Sequence, residues 1–105
     1  MRAGMFFILK DGQPVEVDHM EWSTWFETHN DERIIKQTWV DEIMVSTVFL
    51  GMNHRYDREG PPILWETMIF ESDKWDNWQE RYTTLEKAQA GHEAAIQMVM
   101  NERKL

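Results

Sequence analysis

The run "ILWETMIF", residues 63–70, reads as a β-strand, and it decides the fold because of what it presents on its two sides. Successive strand residues face opposite ways, so Leu64, Glu66, Met68 and Phe70 share one face while Ile63, Trp65, Thr67 and Ile69 share the other. Both sets are mostly apolar. The run "IMVSTVFL", residues 43–50, repeats the pattern, with Ile43, Val45, Thr47 and Phe49 opposed to Met44, Ser46, Val48 and Leu50. A sheet built from such strands needs both of its faces covered.

Working outward, "RIIKQTWV" at 33–40 is rich in β-branched residues and is separated from the 43–50 run only by Asp41-Glu42, which predicts an adjacent antiparallel strand. Near the N-terminus, "MFFIL", "KDGQ" and "PVEV" read as a short hairpin around Asp11-Gly12. A helix follows. Asp18 can cap it with Glu21 three residues on, and Val17 can staple against Trp22. Trp22, Trp25, Phe26 and His29 recur on one face of that helix, a spacing that reads first as core packing. A second helix starts at the Thr83/Glu86 capping box and carries Leu85, Ala88, His92, Ala95 and Val99 as an apolar stripe with Ile96 beside it. Arg81-Tyr82 can add a short strand. The expected fold class is α+β: one domain over residues 1–105, with an antiparallel sheet of four to five strands and two helices. If both helices pack on one sheet face, the other is left apolar and open, and a homodimer or a partner is expected to cover it.

Composition narrows the function. The 105 residues carry 19 acids against 11 bases, for a net charge of −8, together with six Trp and no Cys. The apolar and aromatic content is that of a folded protein. Direct nucleic-acid binding is disfavoured, because phosphate contact needs a basic face. Without cysteine there are neither disulfides nor thiolate metal sites. The only N-terminal apolar run is five residues long, too short for a signal-peptide core or a membrane span, so a cytoplasmic protein with no membrane contact is expected.

Three blocks, "VSTVFLGMNH" (45–54), "GPPILWETMIF" (60–70) and "ERYTTLEKAQAGHEAA" (80–95), resemble in sequence and order a group of small bacteriophage and prophage proteins with no assigned activity. "FFILKDGQPVEVDHMEWSTWFE" (6–27) is similar to the start of those proteins. The resemblance covers most of the chain and implies a phage origin, and hence the cytoplasm of a bacterial host. Two departures are visible: "ESDKWDNWQ" (71–79) stands where those proteins tend to have a Gly-rich turn, and Asn53 stands where they often carry Asp.

Candidate sites are few. Between the two best strands, "GMNHRYDREGPP" (51–62) is too long for a tight turn, and it brings His54, Arg55, Tyr56, Asp57, Arg58 and Glu59 together as a candidate recognition loop. His54 with Asp57 or Glu59 could act as a base or a metal ligand, but no spacing matches an established catalytic or metal motif. His92 falls on the apolar stripe of the last helix, where it reads as a core histidine or as the partner of Glu66 in a buried polar pair. The expected function is therefore non-enzymatic, with no cofactor, no metal and no catalytic residues. It is contact with a host or phage protein, including inhibition of a host enzyme or defence factor, by a protein that dimerises through a sheet face. The alternatives are a small-molecule-sequestering protein with a pocket between protomers and, third, a small hydrolase using His54, Glu66 and His92. The hydrolase requires those three side chains to converge.

Overall fold

The computed structural model describes residues 4–55, 59–72, 74–75 and 77–103. Strands β1 (Phe6–Lys10) and β2 (Gln13–Val17) form the expected hairpin. Its two-residue turn takes positive φ at both Asp11 (52°) and Gly12 (80°), the geometry that matches the twist of the flanking strands. Helix α1 (His19–Thr28) starts where Asp18 accepts a hydrogen bond from the Glu21 amide at 2.8 Å. It lays Trp25 into a core with Phe7, Ile8 and Leu9 of β1, and Trp22 and Phe26 pack against that core. A 3-10 turn over Asn30–Arg33 leads into the second sheet.

That sheet is a meander in the order β3 (Ile34–Val40), β4 (Ile43–Phe49), β5 (Trp65–Phe70), β6 (Gln79–Tyr82), with every pair antiparallel. Helix α2 (Leu85–Arg103) crosses all four strands. Its stripe of Ala88, His92, Ala95, Ile96 and Val99 is buried as the 3.6-residue period requires. The cap sits one residue later than the sequence signal suggests: the Thr84 hydroxyl accepts from the Lys87 amide at 3.1 Å, and the Thr84 carbonyl accepts from Ala88. Thr83 and Thr84 are both competent caps, and the helix takes the one preceding Leu85.

The fold is α+β, with six strands in two sheets among the described residues instead of one sheet of four or five. The hairpin does not extend the meander. It is tied to the segment after β4 by Phe7 N donating to Gly51 O (2.8 Å), Asn53 N donating to Met5 O (2.9 Å) and a single bridge between Phe6 and Met52. Each sheet consequently has its own helix, α1 on the hairpin and α2 on the meander. Gly51 lies at the seam with φ +75°, where a Cβ would clash with the Phe26 ring and lie 2.9 Å from Trp22 Nε1. The two-part arrangement is long, 47 × 30 × 22 Å, with a radius of gyration of 14.9 Å where about 13 Å is usual for this length.

Candidate functional site

With α2 on one face of the meander, the other face is built by cross-strand register alone. It has three rows. The first is Trp39, Met44 and Phe70; the second Gln37, Ser46, Met68 and Gln79; the third Ile34, Val48, Glu66 and Arg81. Among the described residues no element lies over these rows, and Trp39 is 61% exposed, Phe70 40% and Ile34 39%. The first row is wholly apolar. The third ends in an ion pair, Arg81 Nε donating to Glu66 Oε2 at 2.8 Å, with the carboxylate nearly buried and the guanidinium reaching outward. His54 stands beside that pair. Partial burial and the Arg81 charge pull its pKa below the usual 6.5, and Glu66 opposes them.

The loop at 52–62 is closed at its base by Asn53, which is 6% exposed. Its side-chain oxygen accepts from the amides of Arg55 (2.9 Å) and Ile63 (3.1 Å), and its Nδ2 donates to Gly4 O (3.2 Å). His54 N donates to Ile63 O, and Arg55 Nε donates to Pro61 O at 2.7 Å. An uncharged amide suits this position because it donates and accepts at once; an ionised Asp there could only accept. Of the six candidate loop residues, His54, Arg55 and Glu59 lie at the loop's two sides, and Tyr56, Asp57 and Arg58 lie outside the described residues.

His92 and Glu66 are each buried but are not partners. Glu66 belongs to the open face and bonds Arg81, whereas His92 projects from α2 onto the other side of the sheet. The residue facing the helix from β5 is Thr67, one position on, and that single step reverses the face. His92 is held by hydroxyls: Nδ1 is 2.7 Å from Thr47 Oγ1 and Nε2 is 2.9 Å from Thr38 Oγ1, and Thr47 is 2.6 Å from Thr67 Oγ1. His54, Glu66 and His92 therefore do not converge on one pocket. Among the described residues no group of three His, Cys, Asp or Glu could hold a metal ion, and no helix is long and apolar enough to cross a membrane.

Burial lowers the His92 pKa, Lys36 adds to the effect and Glu93 opposes it. The unfolded chain thus binds a proton that the fold resists. Stability from this group is complete above the unfolded value near 6.5, falls as the pH drops below it, and levels off once the lowered folded value is passed. The expected result is that wild type loses more of its urea midpoint between about pH 7.5 and about pH 5.5 than His92→Leu does. His54, also lowered, contributes in the same direction in both proteins and so cancels from the comparison. Equal losses would place the acid sensitivity elsewhere.

Sequence reasoning missed Trp39 and the three threonines. Both were accessible: the two-residue Asp41-Glu42 turn sets Trp39 opposite Met44, and Thr38, Thr47 and Thr67 are the hydroxyls on the helix-facing parity of successive strands. Compared with known proteins, the chain matches no family model, no curated sequence and no solved structure.

Proposed function

We propose that this chain is a non-enzymatic accessory protein of bacteriophage origin that acts by protein–protein contact, and that the open face of the β3–β6 sheet is its contact surface. The observation that carries the reading is the Trp39, Met44, Phe70 row, three large apolar side chains in register over which no element lies among the described residues. Aromatic and Met side chains are enriched at protein contacts, and a large exposed apolar patch marks one.

The first occupant of this face is a second copy of the chain. The protein carries a net charge of −8, so two copies repel in most orientations. Across the three rows the charged residues are one acid and one base, Glu66 and Arg81, already paired. Contact through this face therefore sets a neutral surface against a neutral surface and leaves the acids at the periphery. Four strands about 4.8 Å apart and about six residues rising about 3.3 Å each give a plan area near 400 Å². Stable interfaces bury about 800 Å² per partner, so even with side-chain relief the dimer is small and exchanges with monomer at micromolar concentration. The loop that begins at His54 and Arg55 is the second contact surface of this reading, for a host protein, and a host enzyme or defence factor is the target class that the phage resemblance favours.

Concentration-dependent oxidation tests this directly. Met44 and Met68 lie on the open face, while Met20 on α1 is 77% exposed and serves as the internal control. Brief peroxide treatment followed by peptide mass analysis is expected to show Met44 and Met68 progressively protected as the protein is concentrated, with Met20 oxidised at one rate throughout. Identical rates for all three at every concentration would refute contact through this face.

A further inference from the structure

Helix α1 lies on the Phe6 and Ile8 face of the hairpin, where Trp22 meets Phe6 at 5.2 Å, and it does not cover that face completely. A groove of about 460 Å³ remains between them, lined by Ile8 from the hairpin and by Met20, Thr24, Trp25 and Thr28 from the helix. Met20 is 77% exposed on its lip. Val15, the cross-strand partner of Ile8 and so on the same hairpin face, extends the apolar surface at 38% exposed. The helix presents this surface with its polar atoms withdrawn: Thr24 Oγ1 donates to Met20 O at 3.1 Å, and Thr28 Oγ1 donates to Thr24 O at 2.9 Å. With the hydroxyls spent on the backbone, these residues offer the groove their methyl groups. His29 also lines it, with its ring stacked on Trp25 at 5.5 Å.

The charge around the groove has one sign. Asp18 and Glu21 line it. At about 100° per residue, Met20, Thr24 and Thr28 form one sector of α1, which Glu21 bounds on one side and Glu27 on the other. No basic residue lines the groove among the described residues, and Lys10 stands at the hairpin turn. Elsewhere Lys36, Lys74 and Arg81 are each paired with an acid. Among the described residues, Asp18, Glu21 and Glu27 have no cation. A second copy of the chain is the wrong occupant, because it brings the same acids and a net charge of −8. What complements the groove is an apolar side chain with cations beside it.

We propose that the groove between α1 and the hairpin docks a basic amphipathic segment of a partner protein, its leucine-sized side chains seated against Ile8, Trp25 and the threonine methyls and its lysines or arginines paired with Glu21 and Glu27. At about 1.5 Å per residue the two acids are about 9 Å apart along the helix axis. Cations three residues apart on an extended segment match that span at about 3.3 Å per residue. In such a contact the apolar anchor supplies affinity, and the charges set the on-rate and the choice of partner. The groove shares no residue with the open sheet face or with the loop that begins at His54, so it stands or falls apart from both. From the reading above it takes only that the partner is a protein.

The probe is the blocked peptide Lys-Leu-Leu-Lys-Leu-Leu-Lys. Its counterparts are Glu-Leu-Leu-Glu-Leu-Leu-Glu, which reverses the charge, and Lys-Gly-Gly-Lys-Gly-Gly-Lys, which lacks the apolar side chains. Titration followed by proton–carbon correlation spectra should move the Met20, Thr24 and Thr28 methyl signals saturably with the first peptide and little with the other two. Glu21→Gln combined with Glu27→Gln should weaken binding by about fivefold. Met20→Asp separates the groove from general attraction to an acidic protein, because it adds a carboxylate while removing the apolar lip. Groove binding then weakens by about threefold or more, whereas attraction by charge alone strengthens. All three positions are exposed, so the fold should be unaffected. The Trp39→Asp/Phe70→Asp variant, altered only on the open sheet face, should still bind. No saturable shift of those methyls, equal binding of either counterpart, tighter binding to Met20→Asp, or loss of binding in the open-face variant would overturn the proposal. Movement of the same methyls when the open-face variant is concentrated alone would assign the groove to a second copy instead.

Discussion

Trp39→Asp combined with Phe70→Asp is expected to raise the dissociation constant of the dimer by at least about 100-fold while leaving the fold intact. The two side chains flank Met44 in one row, so the double substitution puts two unpaired carboxylates at the centre of the apolar contact. Each would be desolvated on association and would face its symmetry mate or another apolar residue. In the monomer both positions are more than one-third exposed, where such substitutions change folding stability by about 1 kcal/mol or less. The separation of effects is the point of the experiment. Size-exclusion elution at matched concentration should move to the monomer position with an unchanged circular dichroism spectrum. A variant that still elutes with wild type would show that the face is not what joins the copies.

The second large effect belongs to the seam. Gly51→Ala is expected to destabilise the protein by about 3 kcal/mol, combining the cost of positive φ for a residue with a Cβ and the overpacking of Phe26. Gly51 joins the two halves through both its backbone and its missing side chain. Its carbonyl accepts from Phe7, and the Phe26 and Trp22 rings occupy the space where a Cβ would sit. Relief requires the α1 hairpin unit to move away from the meander. The expected signature is a lower urea midpoint with loss of near-ultraviolet tryptophan ellipticity, because Trp22 and Trp25 are in this seam. An unfolding free energy within about 0.5 kcal/mol of wild type would mean that the two halves are not rigidly joined there.

Much of this architecture could be read from the residues. The Asp11-Gly12 hairpin, the Asp18 cap, the pairing across Asp41-Glu42 and the buried stripe of α2 are local or periodic signals, and each is found. The sheet count was not legible. Whether a hairpin joins a neighbouring sheet depends on long-range edge pairing, and among the described residues only one bridge forms, at Phe6 and Met52. The parity of Glu66 was legible, but the side on which α2 would lie was not, and that choice alone separates Glu66 from His92. The open face follows from the strand patterns once the helix side is known. The bulge between Ile34 and Lys36 does not, because no local sequence feature announces it.

The most direct test of the account is the mass of the protein in dilute and concentrated solution by sedimentation velocity. A chain of 12.7 kDa that associates through its open sheet face should sediment as monomer at low concentration and approach twice that mass across the micromolar range, and the Trp39→Asp/Phe70→Asp variant should stay at the monomer mass. A wild-type protein that remains at the monomer mass throughout that range would contradict it.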